Sequence, residues 1–284
     1  MRGISVAARH EYSWVLLPLL AMVFMYFGIV GGMVDDWIND ENYSHGFMIP
    51  GIAAFFLWRS RNELAACPSA PSYWGLLPLL LGGTMYLAGT VVQEYFLMRS
   101  SLIVILTGTI WLLLGFRMLR LMALPVGYLI FMVPLPYTVY NSMAFPLKLF
   151  VTRVSVYLLK LTGLPVMREG NVIIFPNITL EVVEACSGMR SLVSLVAMGV
   201  AYAFIALKHP WQRVLLVLGT VPIAVASNVL RVYGTGVLSR YYGAAAAEGF
   251  FHEFAGIAVF LVALAGLILF GTLLNVVGRR IHAK

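Results

Sequence analysis

Three residues of types that perform covalent chemistry lie in the second half of the chain: Cys186, Arg231 and His252. Cys186 stands in Glu184-Ala185-Cys186-Ser187-Gly188-Met189-Arg190, at the expected start of a helix. The thiolate is the reactive form of cysteine, and a helix N-terminus and a nearby cation both favour it. Arg190, four residues on, supplies such a cation on the same helix face. Arg231 follows Asn228 by three residues, so both project from one face. A guanidinium offers a rigid fork of donors suited to a carboxylate or a developing oxyanion. His252, in Gly249-Phe250-Phe251-His252-Glu253, is a base or acid near neutral pH. A thiol beside a base is the general arrangement for covalent acyl transfer, with an arginine free to hold the oxyanion. Each residue also has a plainer reading. Cys186 could be a small thiol packed between helices. Arg231 could be a snorkelling side chain paired with Glu184 or Glu253, and His252 part of an interfacial aromatic belt.

Other polar residues are less specific. His45, in Tyr43-Ser44-His45-Gly46, either shapes a substrate channel or makes a structural hydrogen bond. Ser187 lacks the G-x-S-x-G surroundings of a nucleophile, and a helix N-cap role is simpler. Glu184, Ser187, Arg190, Asn228 and His45 therefore form a supporting set. The two cysteines, Cys67 and Cys186, have no zinc-type spacing and make no disulfide framework. No H-E-x-x-H occurs, and no two outer acids sit on facing spans at one depth, so neither a metalloprotease nor a paired-carboxylate protease is expected. The 14 Met, 17 Phe and 14 Tyr are explained by lipid contact and helix packing without a cofactor. No metal and no cofactor are expected.

These residues must be positioned in a membrane. The 284 residues are 61% hydrophobic and only 11% charged, with a mean hydropathy of +0.90. Soluble domains carry roughly 25% charged residues. Such an apolar excess exceeds what one soluble core can hide, and disordered chains are apolar-poor. With roughly 20 apolar residues per span, the expected spans are 13–34, 46–58, 74–92, 96–115, 119–139, 186–207, 212–236 and 252–277. Lys148, Arg153 and Lys160 interrupt 141–163, which reads as an amphipathic interfacial helix. The first apolar stretch is long, lacks a small-residue cleavage site and is followed by more spans, so it is not a cleavable signal. The segment 166–183 has two β-rich runs around Pro176 and Asn177, suited to a hairpin on the outer face. The expectation is an all-α polytopic membrane protein, with about eight transmembrane helices, an interfacial helix and a small outer-face hairpin. It forms a single domain over 1–284.

Cytoplasmic termini follow from the lysine and arginine bias. That orientation puts Arg2, Arg9, Arg59, Arg61, Arg117, Arg120, Lys208, Arg213, Arg279, Arg280 and Lys284 inside, and Asp35, Asp36, Asp40 and Glu41 in an acidic outer loop. At about 1.5 Å per residue, Cys186 lies about 33 Å from Lys208, and Arg231 lies about 27 Å from Arg213. By the same rise His252 lies about 40 Å from Arg279. All three reach the outer boundary.

In this order and at this depth the residues resemble the exosortase/archaeosortase family of integral-membrane cysteine transpeptidases. The resemblance rests on Tyr43-Ser44-His45-Gly46, Arg168-Glu169-Gly170-Asn171, Glu184-Ala185-Cys186-Ser187-Gly188, Asn228-Val229-Leu230-Arg231 and His252. It implies a catalytic trio of Cys186, Arg231 and His252, the histidine favouring the bacterial branch. It also implies recognition of a PEP-CTERM-type C-terminal sorting signal, made of a short motif, a hydrophobic helix and a basic tail. Cleavage would pass through a thioacyl enzyme to a surface acceptor left open by the sequence, lipid and polysaccharide being candidates, in the bacterial inner membrane. Some relatives carry a further domain linked to exopolysaccharide export. No nucleic-acid partner is implied. Two other classes compete: a small-molecule or lipid transporter, whose intramembrane arginine and histidine would line a pathway, and a non-catalytic subunit of an export complex. Against transport, the polar residues cluster at one depth and no paired broken helices are visible.

Overall fold

A computed structural model describes residues 13–182, 188–243 and 250–282. The chain forms two compact units, one up to Pro136 and one from Tyr137. Among the described residues, seven helices are long and apolar enough to cross a membrane, by length and composition. The protein is an all-α polytopic membrane protein with one small sheet.

The first unit contains α1 (Ser13–Asn39), α2 (Met48–Arg59), α3 (Arg61–Ala66), α4 (Leu76–Val92), α5 (Tyr95–Leu114) and α6 (Phe116–Tyr128). Small residues set how close its helices come. Gly82 lies against Ile105, and Gly108 against Leu79, so α4 and α5 meet nearly backbone to backbone. Tyr26 of α1 donates to Ser101 Oγ of α5 at 2.5 Å, and that hydroxyl donates to Met98 O. Asp35 and Asp36 belong to the last turns of α1 rather than to an outer loop. The helix continues through them because Arg99, buried on α5, pairs with Asp36 at 2.5 Å and compensates its charge.

Two expected spans, 46–58 and 119–139, are shorter helices. α2 has 12 residues and α6 has 13, about 18–20 Å each. α2 ends at Arg59, and α6 gives way to a 3₁₀ turn, Leu129–Met132, followed by Pro134 and Pro136, which disfavour continued helix. The two short helices pack together through Phe56 and Tyr128, ring centroids 5.6 Å apart and edge to face.

The second unit contains α7 (Tyr137–Leu161), a three-stranded sheet, α8 (Met189–Ala206), α9 (Pro210–Tyr242) and α10 (Phe250–His282). The last three form an antiparallel bundle around α9. Leu195 of α8, Ala224 of α9 and Ala263 of α10 share one buried cluster. One turn along, Gly199 makes room for the Thr220 hydroxyl, and Gly219 for the Phe270 ring. At the far end, buried Gln212 donates from Nε2 to the carbonyl of Leu274 at 2.7 Å. Its Oε1 accepts from the His209 N–H at 3.1 Å, which caps α9.

α7 is a continuous 25-residue helix, and its length and apolarity would suffice for a span. It packs along α9, with Ser155 beside Val229 and Leu159 beside Gly236. Tyr140 and Ala144 pack with Met189 at the start of α8, while Ser155 donates to the carbonyl of Val229 at 3.2 Å. Arg153, Tyr157 and Lys160 form its exposed stripe, and Val151, Ser155 and Leu159 are buried. Met143, Phe145 and Phe150 are exposed as well, and the segment expected to lie at the interface is one of the seven candidate spans.

The expected hairpin is a three-stranded antiparallel sheet of β1 (Met167–Glu169), β2 (Val172–Ile174) and β3 (Thr179–Glu181). The first apolar run divides because Gly170, at φ 59°, permits a tight turn between β1 and β2. Ile173 is buried in a cluster with Leu159 of α7 and Val229 and Val232 of α9. The sheet and α7 thus cover the same end of the bundle.

Candidate active site

Cys186, Glu184 and Ser187 lie outside the described residues, and so does the His252 side chain; the His252 backbone lies in the first turn of α10. The flanks of these residues are well defined. Before the cysteine segment, Val182 is buried in the cluster that holds Val229 and Val232. Asn171 clamps that end: its carbonyl accepts from the Val182 N–H at 3.0 Å, and its Nδ2 donates to Val182 O and to Glu181 Oε1, each at 3.2 Å. After the cysteine segment, Gly188 is buried and lies against the Asn228 side chain. The chain therefore leaves and rejoins the bundle at one stretch of α9, residues 228–232.

Arg231 lies within that stretch. Its guanidinium rests on Gly256 of α10, where an added Cβ would stand 3.3 Å from Nη2 and 3.5 Å from Cζ. Gly256 is one helical turn from His252 on the same helix. Asn228 is buried and Arg231 half-buried, on one face of α9 as their spacing predicts.

Two local expectations change. α8 begins at Met189, with Gly188 in the cap position at φ 82°. The cap position is thus taken by a glycine, while the Ser187 and Cys186 positions lie outside the described residues. A left-handed glycine there turns the chain sharply into α8. α9 runs on to Tyr242, so Arg240 sits in its last turn rather than in a loop. Arg190 is half-buried in the first turn of α8.

His45 belongs to the first unit, in the 3₁₀ turn Ser44–Phe47. The Trp37 indole lies against Gly46 and donates to Met132 O at 3.0 Å. Burial pushes the His45 pKa below the usual histidine value, against the opposing pull of the Phe131 and Asn42 backbones. Among the described residues no group of three His, Cys, Asp or Glu side chains could hold a metal ion.

A family model, transmembrane exosortase (Exosortase_EpsH), matches residues 37–269. The chain belongs to the transmembrane exosortase family. The match reaches into both compact units and spans the candidate site residues from His45 to His252. No curated protein and no solved structure matches the chain. Membership in this family supports a membrane transpeptidase-type role in general. Within this exosortase, sequence reasoning passed over Gly188 and Gly256 as contact sites and gave Asn171 no role. Neither glycine differs in type from the other glycines among the chain's 26; what marks them is the side chain each one touches.

Proposed function

We propose that this exosortase is a cysteine transpeptidase that cleaves a C-terminal sorting signal through a thioacyl intermediate. The observation that carries the reading is the meeting of three chain segments at residues 228–232 of α9: the two flanks of Cys186, and the α10 turn that follows His252. A thiol, a base and a guanidinium carried by these segments match the requirements of acyl transfer.

The Cys186 thiolate attacks the scissile carbonyl carbon, forming a C–S bond while the carbonyl electrons move onto oxygen. Arg231 stabilises that oxyanion. His252 takes the thiol proton and returns it to the departing amine as the C–N bond breaks, leaving a thioacyl enzyme. An acceptor nucleophile then attacks the thioester, His252 removes its proton, and the thiol is released. A lipid or polysaccharide hydroxyl or an amine fits this step. The substrate carries a short motif, a hydrophobic helix and a basic tail, as in PEP-CTERM-type signals, and enters laterally from lipid. The lysine and arginine bias supports cytoplasmic termini and a periplasmic site in the bacterial inner membrane.

The test is co-expression with a signal-bearing substrate, followed by mass spectrometry of Cys186. A thioester adduct of the mass of the trimmed substrate is expected, absent from Cys186→Ser. A Cys186→Ser protein that processes substrate at near the normal rate sinks the mechanism, since a hydroxyl without a tuned base is a far weaker nucleophile.

A further inference from the structure

Resting on the acyl-transfer reading, we propose that Gly256 is a positioning residue: it is the seat that orients the Arg231 guanidinium beside the His252 turn. Among the described residues, the three heavy atoms nearest to a Cβ built on Gly256 all belong to Arg231: Nη2 at 3.3 Å, Cζ at 3.5 Å and Nη1 at 3.9 Å. Among the described residues no other side chain comes as near, and the room left by the missing methyl is occupied by the guanidinium. Gly266, ten residues and nearly three turns along the same helix, differs: among the described residues a Cβ there would meet only Ile223, at an ordinary 3.6 Å.

Gly256 lies inside a 33-residue helix, where alanine is the better helix former. Glycine is therefore locally unfavourable, and the close approach of the guanidinium accounts for it. An arginine has a long, freely rotating stem, and its planar fork is useful only when held in one orientation. Lying against backbone fixes that orientation with no competing hydrogen-bonding side chain from Gly256 itself. The seat also ties the fork to α10 one turn, about 6 Å of rise, from the His252 Cα. Donor and base thereby move as one body. A methyl at 256 pushes the guanidinium by a few tenths of an ångström, and a branched side chain pushes it further. A misplacement of about 1 Å costs on the order of 10²-fold in rate.

The experiment uses the full-length protein in detergent with a signal-bearing substrate, and compares Gly256→Ala, Gly256→Val and the control Gly266→Ala. Gly256→Ala should hold or raise Tm yet lower kcat about tenfold, and Gly256→Val should lower kcat by about 10²-fold. KM should stay unchanged, because the oxyanion exists only beyond the ground state. Gly266→Ala should keep kcat. A merely structural role would move Tm and kcat in the same direction. Thermal melts repeated in an Arg231→Ala background supply a readout independent of activity. The Tm loss caused by Gly256→Val should shrink once the guanidinium is gone. Equal Tm losses in both backgrounds, or a Gly256→Ala enzyme with unaltered kcat beside an inactive Arg231→Lys, overturn the seat. If Cys186→Ser and Arg231→Lys both process substrate, it is the acyl-transfer reading that fails, while the thermal comparison still decides the seat.

Discussion

Gly188 and Asn228 touch where the chain turns into α8: the glycine adopts φ 82°, and its Cα faces the amide-bearing side chain so closely that any Cβ would collide with it. The contact ties the residue two positions after Cys186 to the residue three positions before Arg231. Gly188→Ala should therefore be costly twice over. An L-residue in the left-handed region costs about 1–2 kcal/mol, and Asn228 must also move. A lowered Tm together with lost processing is expected, measured on the detergent-purified protein. A Tm equal to that of the wild type would refute the contact.

At the opposite end of the bundle, Gln212 joins α9 to α10 through Leu274 O and caps its own helix through His209. Gln212→Ala should destabilise the protein by about 1–3 kcal/mol, the usual cost of leaving buried polar partners unmade. It should leave kcat of the surviving folded protein nearly unchanged, since it lies far along α9 from Arg231. Thermal melts and single-turnover processing assays separate the two effects.

Arg231→Lys keeps the charge but loses the planar fork, so processing should fall by at least the 10²–10³ typical of a missing oxyanion donor. Arg240→Lys is the control. In the last turn of α9, lysine still complements the helix C-terminus, and activity should persist. Both variants should accumulate equally in the membrane, as an immunoblot would report. An active Arg231→Lys enzyme would return Arg231 to charge pairing or snorkelling.

The proposed orientation separates the two cysteines. Cys67 follows α3 in the loop before α4, on the side assigned to the cytoplasm by the basic-residue bias. A membrane-impermeant maleimide on intact spheroplasts should label Cys186 in preference to Cys67. Labelling of Cys67 alone would invert the topology.

His45 makes stability pH-dependent. Burial lowers its folded pKa below the ordinary 6.5, so the unfolded chain binds the proton more readily. Stability from this group is complete above about pH 6.5 and declines as pH falls through the folded value. Melts from pH 7.5 to 5 should show Tm decreasing, with a shallower decrease in His45→Gln. An identical slope in the variant would assign the effect elsewhere.

Much of this was legible in the residues themselves. Apolar excess, span lengths and the order of Cys186, Asn228, Arg231 and His252 are one-dimensional quantities, and they give the membrane class and the family resemblance. Other features depend on what lies opposite in space. Asp36 stays helical because Arg99 faces it from another helix. The 46–58 and 119–139 segments pair as short helices rather than each forming a full-length span. Gly170 splits one apolar run into two strands. The close approaches at Gly188 and Gly256 could not be read from sequence, because a glycine announces only the absence of a side chain. Whether that absence serves a turn, a helix crossing or the seat of a guanidinium is set by the neighbour that fills it, and only the packing of α8, α9 and α10 brings that neighbour in.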